Sequence, residues 1–320
     1  LYTKYKSEII KQVESKTDID CSKLKRSKAN DVIIPCSGET AVDIATARCV
    51  PFDNILLGGD LNIISLHKYD GAFMSYQLNG KRKYDIARVA QGVSVVHLYG
   101  EHLKAIKTYN PSLPEQQKIA KLLSLIDERI ATQNKIIEKL ESLIRGLCLK
   151  LVSQGIPNTT LNTCLECHSS ILQEKSVTTD GKYPVYGAAG ICGYSDTPEA
   201  SGDSILIIKD GASVGATFYV SGKYSAIGTL NRLTARHGCS LRYLYYCLKI
   251  FDFSQYKTGQ AIPHIYFRDY GIAKIWCPSL AQQEHIAGIL TSIDTKIQME
   301  RSLLEHLTIQ KRFLLQNMFI

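Results

Sequence analysis

The chain has 320 residues, 45% hydrophobic and 21% charged, with a formal net charge of +8, the make-up of a globular protein of about two domains. No apolar run approaches the roughly 18 residues of a membrane span, and no basic start followed by an apolar stretch marks a signal peptide. Ten scattered cysteines without such a signal read as free thiols of a reducing cytoplasm.

The chain opens Leu1-Tyr2-Thr3-Lys4, without a methionine, and its first module is expected to lack its opening strands. Lys23-Leu-Lys-Arg-Ser-Lys28 and Lys81-Arg-Lys83 are dense enough to contact phosphates or to form solvated loops. Asp31-Val-Ile-Ile-Pro-Cys36 reads as a short buried strand ended by Ser37-Gly38. Ala72-Phe-Met-Ser-Tyr-Gln-Leu78 reads as a short helix. At Pro111 the pattern changes. Ser112-x-x-Glu115 has the capping-box form, Pro114 sits where a missing N–H costs nothing, and apolar residues then recur at Ile119, Leu123, Ile126, Ile130, Ile137, Leu140, Ile144, Leu147 and Leu151. Their steps alternate four and three, which is a heptad seam, interrupted by polar Gln133. Roughly 40 residues at about 1.5 Å each make a rod of about 60 Å. Such a rod needs a partner stripe.

The second half repeats this order. Cys164-Leu-Glu-Cys167-His168 has the C-x-x-C-H form of a haem attachment site, in a context without export, and no second ligand pair for zinc stands nearby in sequence. Ser204-Ile-Leu-Ile-Ile-Lys209 is a buried-strand run ended by Asp210-Gly211, followed by Ala216-Thr-Phe-Tyr-Val220 and then by the short helix Arg242–Leu248. Pro278-Ser-Leu-Ala-Gln-Gln-Glu-His-Ile-Ala nearly copies Pro111-Ser-Leu-Pro-Glu-Gln-Gln-Lys-Ile-Ala, 167 positions on. A second seam follows through Ile286, Leu290, Ile293, Ile297, Leu304, Leu307, Leu314 and Met318, with Glu300 and Lys311 as polar breaks. Glu300 stands 167 positions after Gln133. Upstream, His97 and Tyr99 correspond to His264 and Tyr266, Gly92 to Gly259, and Gly59-Asp-Leu-Asn62 to Gly228-Thr-Leu-Asn231.

The expected architecture is therefore α+β. A first module at 1–111 leads into a long helix at 112–155, and a second module at 156–278 into a second helix at 279–320. The two rods are expected to pair as an antiparallel coiled coil, the cheapest cover for both seams.

This duplicated arrangement of strand, Gly-loop, strand, Gly-x-Leu-Asn strand, Tyr/Leu helix, Thr258-Gly-Gln-Ala-Ile-Pro-His264 and Pro-Ser-Leu-x-x-Gln-x-x-Ile-Ala resembles the specificity subunits of type I restriction-modification enzymes. The resemblance implies two target recognition domains, each reading one half of a split double-stranded DNA sequence. It implies that the paired helices act as a spacer and docking surface for two methyltransferase subunits, to which restriction subunits attach, in a prokaryotic cytoplasm. It also implies that this chain holds no cofactor of its own, S-adenosylmethionine, ATP and Mg2+ belonging to partner subunits. The first module departs from the pattern, with Gln91-Gly-Val-Ser-Val-Val-His97 at the loop.

The residues fit that role on their own chemistry. Base edges are read by side chains on loops whose basic and hydroxyl groups fix register on phosphates. The candidate DNA-binding residues are Ser37, Thr40, Arg88, Ser94 and His97 in the first module, and Lys209, Ser213, Lys257, Thr258, Gln260 and His264 in the second. Gln260 suits an adenine edge. His97 and His264 read more readily as buried histidines that close each module than as base contacts. No catalytic motif competes: Asn110-Pro-Ser112 lacks the second proline of an adenine methyltransferase, and Thr217 stands where a phosphate-binding loop ending at Gly222-Lys223 needs glycine. Two other readings stay open, a coiled-coil interaction protein without DNA specificity and a redox protein using Cys164, Cys167 and His168.

Overall fold

A computed structural model describes residues 5–18, 20, 22 and 24–319. The opening Leu1–Lys4, Cys21 and Lys23 of the basic run lie outside the described residues. By compactness the chain divides into residues 1–136 with 300–320, and residues 137–299. The division falls inside the long helices, because each stretch of helix packs on its neighbouring module.

The first unit is built on β1 (Asp31–Pro35), all five residues of which are buried. It is followed by β2 (Ser37–Gly38), α1 (Ala41–Ile44), β3 (Arg48–Val50) and β4 (Leu61–Ile64), with β3 and β4 pairing antiparallel on either side of β1. Alternation along β1 explains its continuous apolar run. Val32 and Ile34 join a cluster with Ile44, Met74 and Ile86, while Ile33 packs with Ile10, Val50 and Leu57. Then come α2 (Gly71–Asn79), α3 (Lys83–Val89), β5 (Val96–His97), α4 (Gly100–Lys104) and the 40-residue α5 (Leu113–Val152). Helix α2 starts because the Asp70 side chain accepts the Phe73 amide at 2.8 Å.

The second unit holds β6 (Thr159–Thr160), α6 (Leu161–Cys164), β7 (Leu165–Ser169), β8 (Tyr183–Gly187), β9 (Gly190–Ser195), β10 (Ala200–Ser201), β11 (Ser204–Ile208), β12 (Thr217–Val220), β13 (Lys223–Ala226) and β14 (Leu230–Ala235). Helix α7 (Leu241–Ile250), α8 (Phe267–Tyr270), β15 (Lys274–Ile275) and the 38-residue α9 (Leu280–Asn317) complete the chain. An antiparallel sheet runs β12-β11-β14-β7, and a second sheet runs β10-β13-β8-β9. Strand β11 is the counterpart of β1. Its Ile205 and Ile207 face the helices, and Leu206 and Ile208 face the second sheet.

The helices pair antiparallel, as each unit shows separately. In the first, Ala120 and Leu123 near the start of α5 cluster with Leu314, Leu315 and Phe319 at the end of the chain, and with Phe73 and Tyr76 of α2. In the second, Ile144, Cys148 and Val152 near the end of α5 cluster with Ile286, Ala287 and Leu290 near the start of α9. The two polar breaks meet: the buried Gln133 amide donates to the Glu300 backbone carbonyl at 3.0 Å and to its carboxylate. Both helix starts differ from the full capping box. Glu115 and Gln282 accept the backbone N–H of Ser112 (3.0 Å) and Ser279 (3.3 Å), but the hydroxyls donate to those same side chains instead of accepting an amide hydrogen.

Candidate nucleic-acid interface

In the second unit the chain leaves β11 through Lys209 and turns at Gly211, whose φ of +105° lies in the left-handed region. Further along the chain, Thr258–His264 forms a tight loop closed by two reciprocal backbone bonds, Thr258 N–H to His264 C=O at 2.9 Å and His264 N–H to Thr258 C=O at 2.7 Å. Gly259 there has φ +88°, and a side-chain carbon on it would stand 2.4 Å from the Ile262 carbonyl oxygen. The loops are tied together. Gly211 N–H donates to Pro263 C=O at 3.0 Å, Ile265 N–H to Lys209 C=O at 2.9 Å, and His264 Nδ1 lies 2.6 Å from Asp210 Oδ1. Lys209, Asp210 and His264 thus share the rim of an open depression of about 480 Å³, with Ser169, Asn231 and Arg268. Ser213, Lys257, Thr258 and Gln260 are exposed on the same two loops.

The first unit repeats the closure at the same register. Gln91 N–H donates to His97 C=O at 2.9 Å and His97 N–H to Gln91 C=O at 2.7 Å, 167 positions before Thr258 and His264. Gly92 has φ +123°. Strand β5 then pairs with β2, placing His97 opposite Ser37. Ser94 and His97 are exposed, and the His97 ring stacks on Tyr99 at 6.2 Å. The remaining candidates are engaged in local structure. The Ser37 hydroxyl donates to Asp60. Thr40 caps α1, accepting the Asp43 amide at 3.1 Å and donating to its carboxylate at 2.6 Å. Arg88 is exposed on α3 with Asp85 at 3.5 Å.

Neither histidine is buried: His97 is exposed and the His264 side chain is 36% exposed. The backbone ladder leaves both rings on the outside while the amides close the loop. Arg268 was not singled out from sequence. It is 80% exposed and its guanidinium lies 5.0 Å from the Tyr266 ring centroid, a stacked cation suited to a phosphate or a base edge. A charged residue four positions after a loop histidine carried no signal by itself.

The C-x-x-C-H segment does not form one site. Cys167 and His168 are neighbours on β7 and point to opposite faces. His168 Nε2 pairs with Thr234 Oγ1 at 3.0 Å, and burial, then Arg232, lowers its pKa. Cys164 turns inward towards Cys239 and Cys277.

No helix among the described residues is long and apolar enough to cross a membrane. A family model for the type I restriction modification DNA specificity domain matches residues 15–142 and 166–308. The chain is 27% identical over 113 residues, 35% of its length, to the EcoprrI specificity subunit of Escherichia coli, and 29% identical over 128 residues, 40% of its length, to the MjaVIII specificity subunit of Methanocaldococcus jannaschii. Those matches span only 28% and 29% of the two relatives. In fold it is similar to the S subunit of a type I restriction-modification system from M. genitalium, with TM-score 0.70 and 22% identity over 98% of this chain and 89% of that one. A chain from work on complex assembly and conformational transition of the type I R-M system gives TM-score 0.54 at 15% identity, covering 91% and 82%.

Proposed function

From the premise that this chain belongs to the type I restriction modification DNA specificity domain family, we propose that it is the non-catalytic specificity subunit of such a complex. Its two modules each read one half of a bipartite double-stranded DNA target. The observation that carries this reading is the loop closed by the same two backbone bonds in both units, Gln91 with His97 and Thr258 with His264. Each closure presents an exposed segment, residues 92–95 in the first unit and 259–262 in the second, from a base fixed by reciprocal backbone bonds, as base readout requires. In the second unit Lys209, Lys257 and Arg268 supply phosphate contacts, and Gln260, Ser213 and Thr258 reach base edges. In the first unit Ser94 and His97 are the free candidates, Arg88 is exposed beside Asp85, and Ser37 and Thr40 hold the loop's shape.

The paired helices dock two methyltransferase subunits, and through them restriction subunits. In the first unit Leu122, Leu125 and Leu303 are 44–45% exposed, and with Ile126, Leu307 and Leu314 they line an open groove of about 800 Å³. Apolar surface of this kind marks a protein contact. S-adenosylmethionine, ATP and Mg2+ then reside in the partners, and the complex works in a prokaryotic cytoplasm.

The test is methylation sequencing of cells carrying the cognate methyltransferase subunit, with and without this chain. A modified adenine in a split motif that appears only with the chain is expected, and exchanging residues 156–278 for another module should change one half of that motif. A complex that assembles yet gives no chain-dependent methylation would favour an interaction protein without DNA specificity.

A further inference from the structure

Cys164, Cys239 and Cys277 arrive from three distant segments of the second unit: the end of α6, the turn before α7, and the stretch between β15 and α9. Their sulfur atoms all lie within 4.8 Å of one another, and those of Cys164 and Cys277 are 3.9 Å apart. Two thiolates on one tetrahedral zinc ion at about 2.3 Å stand roughly 3.8 Å apart, so this pair already has the spacing of ligands to a common ion. A disulfide would need about 2.05 Å. Cys164 is buried, while Cys239 and Cys277 are half-buried, which leaves the cluster a path from solvent.

The surroundings hold Cys277 in place. Gln283 Nε2 donates to Cys277 Sγ at 3.2 Å, and the same fully buried amide is fixed by the Pro278 carbonyl and the Ser240 N–H, each at 2.8 Å. The Cys277 N–H is held by Asn158 Oδ1 at 2.8 Å. Amide donors of this kind orient metal ligands and stabilise their charge. The repeat places the Gln283 amide, as Gln116 is placed in the first unit, but it does not supply the sulfur, since Asn110 stands 167 positions before Cys277.

We propose that Cys164, Cys239 and Cys277 bind one zinc ion as a structural clasp, with solvent in the fourth position. Each thiol releases its proton to solvent as its sulfur bonds the ion, and no oxidant or reductant takes part. The clasp ties the start of β7, the cap of α7 and the start of α9 into one body, and it is independent of whether the modules read DNA.

Elemental analysis of the full chain, purified under reducing conditions with zinc supplied and then desalted, tests this. One zinc per chain is expected, lost in Cys239→Ser and in Cys277→Ser and kept in Cys167→Ser. Should a serine variant fail to fold, titration of the unaltered chain with Co2+ gives the second reading: a thiolate-to-cobalt charge-transfer band that added zinc abolishes. A metal-free chain without that band, zinc that survives both serine changes, or a Cys164–Cys277 disulfide in place of the ion would overturn the proposal.

Discussion

Gln116 and Gln283 show how a short-range pattern becomes a long-range tie. Each is essentially fully buried. Gln116 donates to the Pro111 carbonyl at 2.8 Å and accepts the Asp70 amide at 2.9 Å; Gln283 treats Pro278 and Ser240 the same way. Asp70 and Ser240 cap α2 and α7, so one amide joins the start of each long helix to the start of the short helix packed on it. Gln116→Leu should cost about 1–3 kcal/mol, the penalty for leaving buried partners unsatisfied, read as a lower urea midpoint. The residue type was visible in the repeated sequence, but its partner was not, because Asp70 lies 46 positions away. Gly259 is the opposite case, where the repeat disclosed only its correspondence to Gly92. Its φ of +88° and the Ile262 carbonyl 2.4 Å from a would-be Cβ make Gly259→Ala strained by about 1–3 kcal/mol. Since the loop is exposed, it can shed that strain by opening locally, and the expected outcome is weaker DNA binding in a mobility-shift titration, with the melting temperature little changed. Equal losses of both would mean that the loop supports the core.

The helices were the most legible elements, and their polar breaks were the least understood. A four-three apolar spacing announces a buried stripe whatever its partner, which is why the seam could be read from sequence alone. That Gln133 and Glu300 would face each other needed the antiparallel register. The second break, Lys311, is also paired: its ammonium lies 2.7 Å from Glu8 and 2.6 Å from Asp127. Burial pulls the lysine pKa down, yet Glu8 and Asp127 together carry it above its ordinary value of 10.5. A raised pKa contributes stability that is complete below the unfolded value and lost as pH rises through the folded one. The denaturation midpoint should therefore fall above pH 10.5, and Lys311→Met should be weaker at neutral pH and lack this alkaline loss. Breaking the Gln133 contact has its own signature. Gln133→Leu removes a donor from a buried carboxylate and is expected to destabilise, whereas Gln133→Leu with Glu300→Leu should recover stability and lose register, seen as mixed oligomers by light scattering.

For the molecule as a whole, the 167-residue repeat disclosed two modules but concealed how they differ. The sheet β10-β13-β8-β9 of the second has no counterpart among the described residues of the first, and its glycine-broken strands gave no clean alternation to read. The Cys164, Cys239, Cys277 cluster was equally hidden, because ligands from three separate segments make no motif. Charge shows the same unevenness. The second unit's depression gathers two cations, Lys209 and Arg268, at one rim with Asp210, Arg268 lying 3.4 Å from Asp269, while in the first unit Arg88 lies 3.5 Å from Asp85. Each cation that neutralises a phosphate releases a counterion, so binding should weaken linearly in log affinity against log salt. Lys209→Ala and Arg268→Ala should each lower that slope by about 1 and weaken all sequences alike, whereas Gln260→Ala should leave the slope intact and relax preference at a base pair of one half-site. Titrating intact complex against cognate and scrambled duplexes at several salt concentrations separates the two behaviours. A slope untouched by both basic substitutions would move the DNA contact away from this rim, and a flat salt dependence throughout would speak for a protein partner instead.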